Sequence, residues 1–167
     1  MYHSIDEFLK DWEFEQAGTL KYLDALTDAS LKQIVAPADR TLGRVAWHIV
    51  QTLPEMLTQA GLKVSGPAHD VDPPLSAKAI ADAYRAACAS FTVSLRAGWS
   101  NATLETDVPM YGETWKRGMV LAALMAHQTH HRGQMSVLMR QAGIKPPGIY
   151  GPAREDWAHM KMAPPRV

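Results

Sequence analysis

His127 and His131 stand four residues apart in the run His127-Gln-Thr-His-His131-Arg-Gly-Gln134, inside the longest apolar-periodic segment of the chain. An α-helix turns about 100° per residue, so the two imidazoles lie one turn apart on one face. Val120, Leu124, Met135 and Leu138 share that arc to within roughly 80°. Two polar rings therefore point where an amphipathic helix buries leucine, and unpartnered polar groups there are costly. A divalent metal ion is an economical partner, because His is the commonest metal ligand and an i, i+4 pair binds one ion. His48 lies on the apolar stripe of an earlier helix. Three His with an open fourth position is the pattern of a catalytic zinc site, whereas structural sites fill all four positions with protein. Such an ion keeps its charge and lowers the pKa of bound water toward ~7. The competing reading of each position is a core histidine satisfied by its neighbours.

The residues around these three carry weaker signals. The spacing invites comparison with His-Glu-x-x-His metalloproteases, but Gln128 stands where the glutamate would be, and a neutral amide is no general base. Gln134 is on the histidine face and is a candidate to orient a ligand ring by a hydrogen bond. Arg132 reads as a structural ion-pair or dimer residue. His130 falls to one side of the pair, beside the site or at the surface. Glu55, two turns along from His48, is a candidate acceptor or proton shuttle; a solvated helix carboxylate is the plainer reading. Trp47 and Tyr150 are candidate walls of a pocket above the metal. His3, His69 and His159 carry no pattern. Cys88, at the edge of a helical stripe, reads as a small buried hydrophobe.

Four long helices must position these groups. Ser4 and Glu7 form a capping-box pair ahead of Phe8, Trp12, Thr19, Leu23 and Leu26, which predicts a helix over about 4–27. A helical turn is possible around Leu31 to Val35. A second helix is expected from Thr41 to Ala60, stopped by Gly61, with Thr41, Val45, His48, Thr52 and Met56 inward and a kink at Pro54. Residues 61–75 read as loop. Ser76 caps a third helix to about Gly98, with Ile80, Ala83, Tyr84, Ala87, Phe91 and Leu95 as its stripe and six alanines (79, 81, 83, 86, 87, 89) for close helix approach. Residues 99–114 form a connection without strand alternation. The fourth helix is expected over 114–142, stopped by Gly143. A rigid tail follows, with a short turn over Ala153 to Met160 that packs Trp157 back onto the bundle. The pocket lining is expected from 61–75, 99–114 and the tail. The expected architecture is all-α: one four-helix-bundle domain over 1–167, with long connections and a short helical tail.

Composition narrows the function classes. The chain has 167 residues, 47% of them hydrophobic and 20% charged, an ordinary globular balance. Lys+Arg and Asp+Glu are 17 each, so nothing favours nucleic acid, and self-association is not opposed by net charge. One cysteine rules out an internal disulfide and a thiolate-rich zinc site. The N-terminus lacks a signal-peptide layout, and no apolar run near the motif approaches a membrane span. A cytoplasmic setting is expected, with no nucleic-acid or membrane partner.

The run 127–134, followed by Met135, resembles the signature of the DinB/YfiT-like superfamily, whose last long helix carries His-x-x-x-His-Arg-Gly-Gln. An earlier helix of that family supplies one more His, matched here by Ala46-Trp47-His48. Leu138-Met-Arg140-Gln-Ala-Gly143 and Pro146-Pro-Gly-Ile-Tyr150-Gly resemble its continuation. The resemblance implies a four-helix bundle with right-handed crossover connections, a divalent metal (zinc or nickel) held by His48, His127 and His131, and a homodimer. It also implies a metal-dependent S-transferase acting with a low-molecular-weight thiol, or a hydrolase, with metal-bound thiolate or water as nucleophile. Catalytic side chains stay unassigned, Glu55 and Gln134 being the candidates. The alternative is a non-catalytic metal-binding or regulatory, dimerising bundle.

Overall fold

The structure is a computed structural model and describes residues 1–166. Four long helices carry most of it: α1 (Ile5–Asp24), α2 (Leu42–Gln59), α3 (Ala77–Gly98) and α4 (Arg117–Gln141). Ser4 and Ser76 cap their helices as expected, and Thr41, expected as a start and an inward residue, is a cap as well. Ser4, Thr41 and Ser76 accept from the backbone N–H groups of Glu7, Arg44 and Ala79, which satisfies donors that a helix cannot. Asp28, in a 3-10 turn over Asp28–Lys32, adds a bond to the Ala77 N–H at 2.7 Å. At the far end of α4, Gly143 takes a φ of 77° and the Ile144 N–H reaches back to the Met139 carbonyl, a six-to-one closure that a residue without Cβ makes cheaply. α2 runs through Pro54 as one helix.

The all-α expectation needs correction between 99 and 116. A 3-10 turn over Ala102–Glu105 leads into β1 (Asp107–Met110) and β2 (Glu113–Lys116), an antiparallel hairpin pairing Val108 with Trp115. Tyr111 and Gly112 form its two-residue turn, both at positive φ, the backbone that such tight hairpins require. The strands are too short to show alternation, one contains Pro109, and Tyr is an unusual residue at the turn's first position. α4 accordingly starts at Arg117 rather than 114.

α1 packs against α3 and α4, and α2 packs against α3 and α4. The ring order is therefore α1, α3, α2, α4, with α1 across the core from α2 and α3 from α4. Connections 25–41 and 99–116 lie at opposite ends of the helix set and each spans a diagonal; 60–76 runs back along α2, past Gln51 at Ala68 and Trp47 at Val71, so α3 runs parallel to α2. Phe8, Trp12 and Phe91 interlock at the α1–α3 contact with ring centroids 5.3–6.1 Å apart, each fully buried ring contributing about 1.5–3 kcal/mol. The α2 stripe is wider than predicted. Leu42, Ile49, Leu53 and Leu57 are fully buried, because α2 meets both neighbours and its connection. On α3, Ala81 and Ala87 face inward, but Ala79, Ala86 and Ala89 are exposed. The one-turn α5 (Asp156–His159) leaves Trp157 half-buried and outside the core. No helix of the described residues is long and apolar enough to cross a membrane.

Candidate metal centre

α2 and α4 are neighbours, and this contact brings His48 to the i, i+4 pair of α4. The Nε2 atoms of His48 and His127 are 3.2 Å apart, and those of His127 and His131 3.0 Å. One ligand atom from each ring lies within 4.8 Å of the other two, so the three could hold a metal ion. The cluster is half-buried to buried, and burial sets its charge state. Burial first, then the charges of His131, Arg40 and Arg44, hold the His48 imidazole down at about 4. Burial, the neighbouring imidazoles and Arg40 take His127 to about 3. His131 is also lowered, chiefly by burial, although its bond to Gln134 pulls the other way. All three rings are neutral at pH 7, the state that binds metal.

Gln134 does what the sequence suggests. Its Oε1 lies 2.7 Å from His131 Nδ1. A carbonyl oxygen only accepts, so Nδ1 carries the hydrogen and Nε2 turns its lone pair toward the cluster. The same amide donates to His130 Nε2 at 3.1 Å, which places exposed His130 beside the cluster rather than in it. His127 has no such partner: among the described residues its Nδ1 is buried and unpaired.

Gln128 is fully buried and points away from the histidines. It accepts from Tyr84 and Thr19 at 3.0 and 3.2 Å and donates to the Ile49 carbonyl. A glutamate there would face the core, so the protease comparison fails on direction as well as on chemistry. Arg132 is 3% exposed. It pairs with the buried Glu15 carboxylate and donates to the Glu15 carbonyl, Thr19, Thr129 and Tyr150. It is the structural ion-pair residue of the two roles weighed, tying α4 to α1.

Other candidates lie elsewhere. Glu55 faces the hairpin, 3.5 Å from the Tyr111 hydroxyl, and among the described residues bonds to none of the three histidines. Tyr150 lines a separate cleft of about 560 Å³ between α4 and the tail, with Arg132 and Arg140. Trp47 is buried and straps the 61–75 loop to α2: its indole and Gln51 both donate to the Val71 carbonyl at 2.9 Å. Neither is a wall of the histidine cluster. The cleft joined to the cluster through Gln134, about 530 Å³, has none of the three histidines in its lining; its walls are Gln134, Val137 and Leu138 of α4, Val45 of α2 and Val35, Asp39 and Arg40. Its third side comes from the connection ahead of α2, which the sequence reading passed over. Arg40, a cation beside the Thr41 cap, was the available signal. Cys88 is buried, and burial pushes its thiol up to about 12.

Residues 1–166 match the DinB family. YrdA of Bacillus subtilis (strain 168), an uncharacterised protein, is 44% identical over the full length of both chains. The crystal structure of a DinB-like protein from Bacillus cereus ATCC 10987 is 47% identical, covers 90% of this chain and 100% of its own, and superposes with a TM-score of 0.87. A second DinB-like crystal structure, YjoA of Bacillus subtilis, covers 82% of this chain and 92% of its own at a TM-score of 0.63. At 15% identity it speaks for the fold alone.

Proposed function

The chain belongs to the DinB family, and from that premise we propose that it is a metal-dependent enzyme. In this reading His48, His127 and His131 hold one divalent ion, zinc or nickel, and leave a coordination position open in a thiol-transfer or hydrolytic reaction. The observation that carries it is the convergence of three Nε2 atoms at 3.0 and 3.2 Å. Two nitrogens of a tetrahedral zinc site with ordinary bond lengths stand about 3.3 Å apart. Gln134 turns the His131 Nε2 lone pair toward the cluster, and with His48 and His127 in the same tautomer a cation at the centre would be held by all three nitrogens. Three neutral ligands are the donor set of an open site, and an ion bound there supplies Lewis-acid activation of water or a thiol.

The chain's own residues prepare that chemistry. Gln134 fixes the tautomer and tilt of His131. The neighbouring guanidiniums and the protein interior keep the rings unprotonated. Gln128 and Arg132 hold α4 against α1, α2 and α3 and so set where the α4 histidines stand. We read the four long helices as a four-helix bundle with long connections, of which 60–76 crosses the length of the bundle. A homodimer, a low-molecular-weight thiol as cosubstrate and a cytoplasmic setting belong to the same proposal.

The test has two stages. Protein purified without a His-tag and loaded with zinc or nickel should retain one ion per chain, and H48A and H131A should not. Equal retention in the variants, or none in the parent, overturns the metal reading. Loaded protein should then consume bacillithiol, mycothiol or glutathione in the presence of electrophilic acceptors. Metal uptake without turnover across that panel assigns the chain to non-catalytic metal binding or regulation instead.

A further inference from the structure

Arg40 ends the connection into α2 and stands in the cleft of about 530 Å³ that Gln134 shares with the histidine cluster. Among the described residues its guanidinium makes no ion pair and no hydrogen bond, whereas Arg85, Arg132 and Arg140 are all ion-paired. Arg44, one turn ahead of His48 on α2, keeps a buried Nη1 with no acceptor among the described residues. Asp39 is the one carboxylate of the lining and pairs with neither arginine among the described residues. The remaining walls are apolar: Val45 and Leu138 are buried, and Val35 and Val137 stand 60% and 53% exposed.

Unpaired guanidinium beside apolar walls is the recognition chemistry of an amphipathic anion. The planar fork binds carboxylate or phosphate through two parallel hydrogen bonds, and a mostly apolar cleft with few polar groups orients a small ligand. We propose that this cleft is the substrate seat of the histidine cluster and takes a small organic anion. Its carboxylate or phosphate sits on Arg40, and its short aliphatic body lies along Val45, Val137 and Leu138 with the far end toward Gln134. The assignment as substrate rests on the histidines being the reaction centre. Binding of the anion does not need the ion, so the two readings fail separately.

The experiment is calorimetric titration of chelator-treated, metal-free protein with hexanoate, hexyl phosphate and hexan-1-ol. At least one anion should bind, and the alcohol should bind at least about tenfold more weakly, the loss of one charge-assisted hydrogen bond. R40Q, an exposed connection position, should weaken the anion by about the same factor while retaining zinc uptake. D39N should tighten it. Binding of hexanoate alone or hexyl phosphate alone identifies the head group. Equal binding of alcohol and anions, unchanged anion affinity in R40Q, or no binding of any of the three overturns the proposal.

Discussion

Gln134 accepts a hydrogen bond from His131: the amide oxygen stands 2.7 Å from Nδ1, one helical turn along α4. The bond leaves the Nε2 lone pair of His131 facing Nε2 of His127 at 3.0 Å. A residue that touches no other member of the cluster thus decides which nitrogen of His131 is available to a ligand.

Replacing that acceptor should be felt in metal affinity and hardly at all in the fold. Gln134 is exposed, so Q134L should keep its helical circular dichroism and lose about 10- to 100-fold in zinc affinity, measured by chelator competition. Q134E keeps an acceptor and should hold parental affinity. Equal affinities for all three proteins would remove Gln134 from the site.

The Glu15–Arg132 pair should be costly to break from one side. Both side chains are buried, and Arg132 bonds to α1, to its own helix and to the tail. R132M leaves the buried carboxylate without its counter-charge, held only by the Tyr150 and Thr129 hydroxyls, and should cost about 3–5 kcal/mol in urea unfolding. Replacing Glu15 with Leu in the same chain should recover much of that loss. A double variant less stable than R132M would show that the pair's worth lies in packing, not charge.

Cys88 should resist alkylation in the folded chain. The thiolate is the nucleophile, and burial moves the thiol's pKa up to about 12. The reactive fraction therefore rises about tenfold per pH unit with no plateau before that value. Iodoacetamide labelling followed by mass spectrometry should be negligible at pH 8 and complete once urea unfolds the chain. Rapid labelling of folded protein at pH 8 would contradict the burial.

Gly118 should tolerate no side chain. A Cβ there would lie 2.0 Å from the Tyr2 carbonyl oxygen, and the Tyr2 N–H donates to the Gly118 carbonyl at 3.0 Å. Alanine near a helix start normally stabilises, yet G118A should cost about 1–3 kcal/mol by displacing the N-terminal segment. The penalty should vanish in a chain lacking residues 1–3. A penalty of the same size in the shortened chain would place its cause elsewhere.

Much of this was legible from local chemistry. Caps at Ser4 and Ser76, the helix start at Thr41, the stop at Gly143 and the shared face of His127 and His131 follow from helix geometry and backbone donors, which depend on residues a few positions apart. The hairpin at 107–116 escaped because its strands are four residues long, and its turn uses Tyr111 where asparagine or aspartate would announce it. Membership of His48 in the cluster was inferred from its stripe and a family resemblance. Its distance to His127 exists because α2 and α4 became neighbours. Helix order around the core follows from packing many side chains at once and from where connection 25–41 crosses, quantities that no single stretch encodes. The same packing turned Gln128 inward, took Glu55 to the hairpin and Tyr150 to the tail, and put Arg40 beside the histidines. Periodicity told which way each side chain points from its own helix; the contact between helices chose what it meets there.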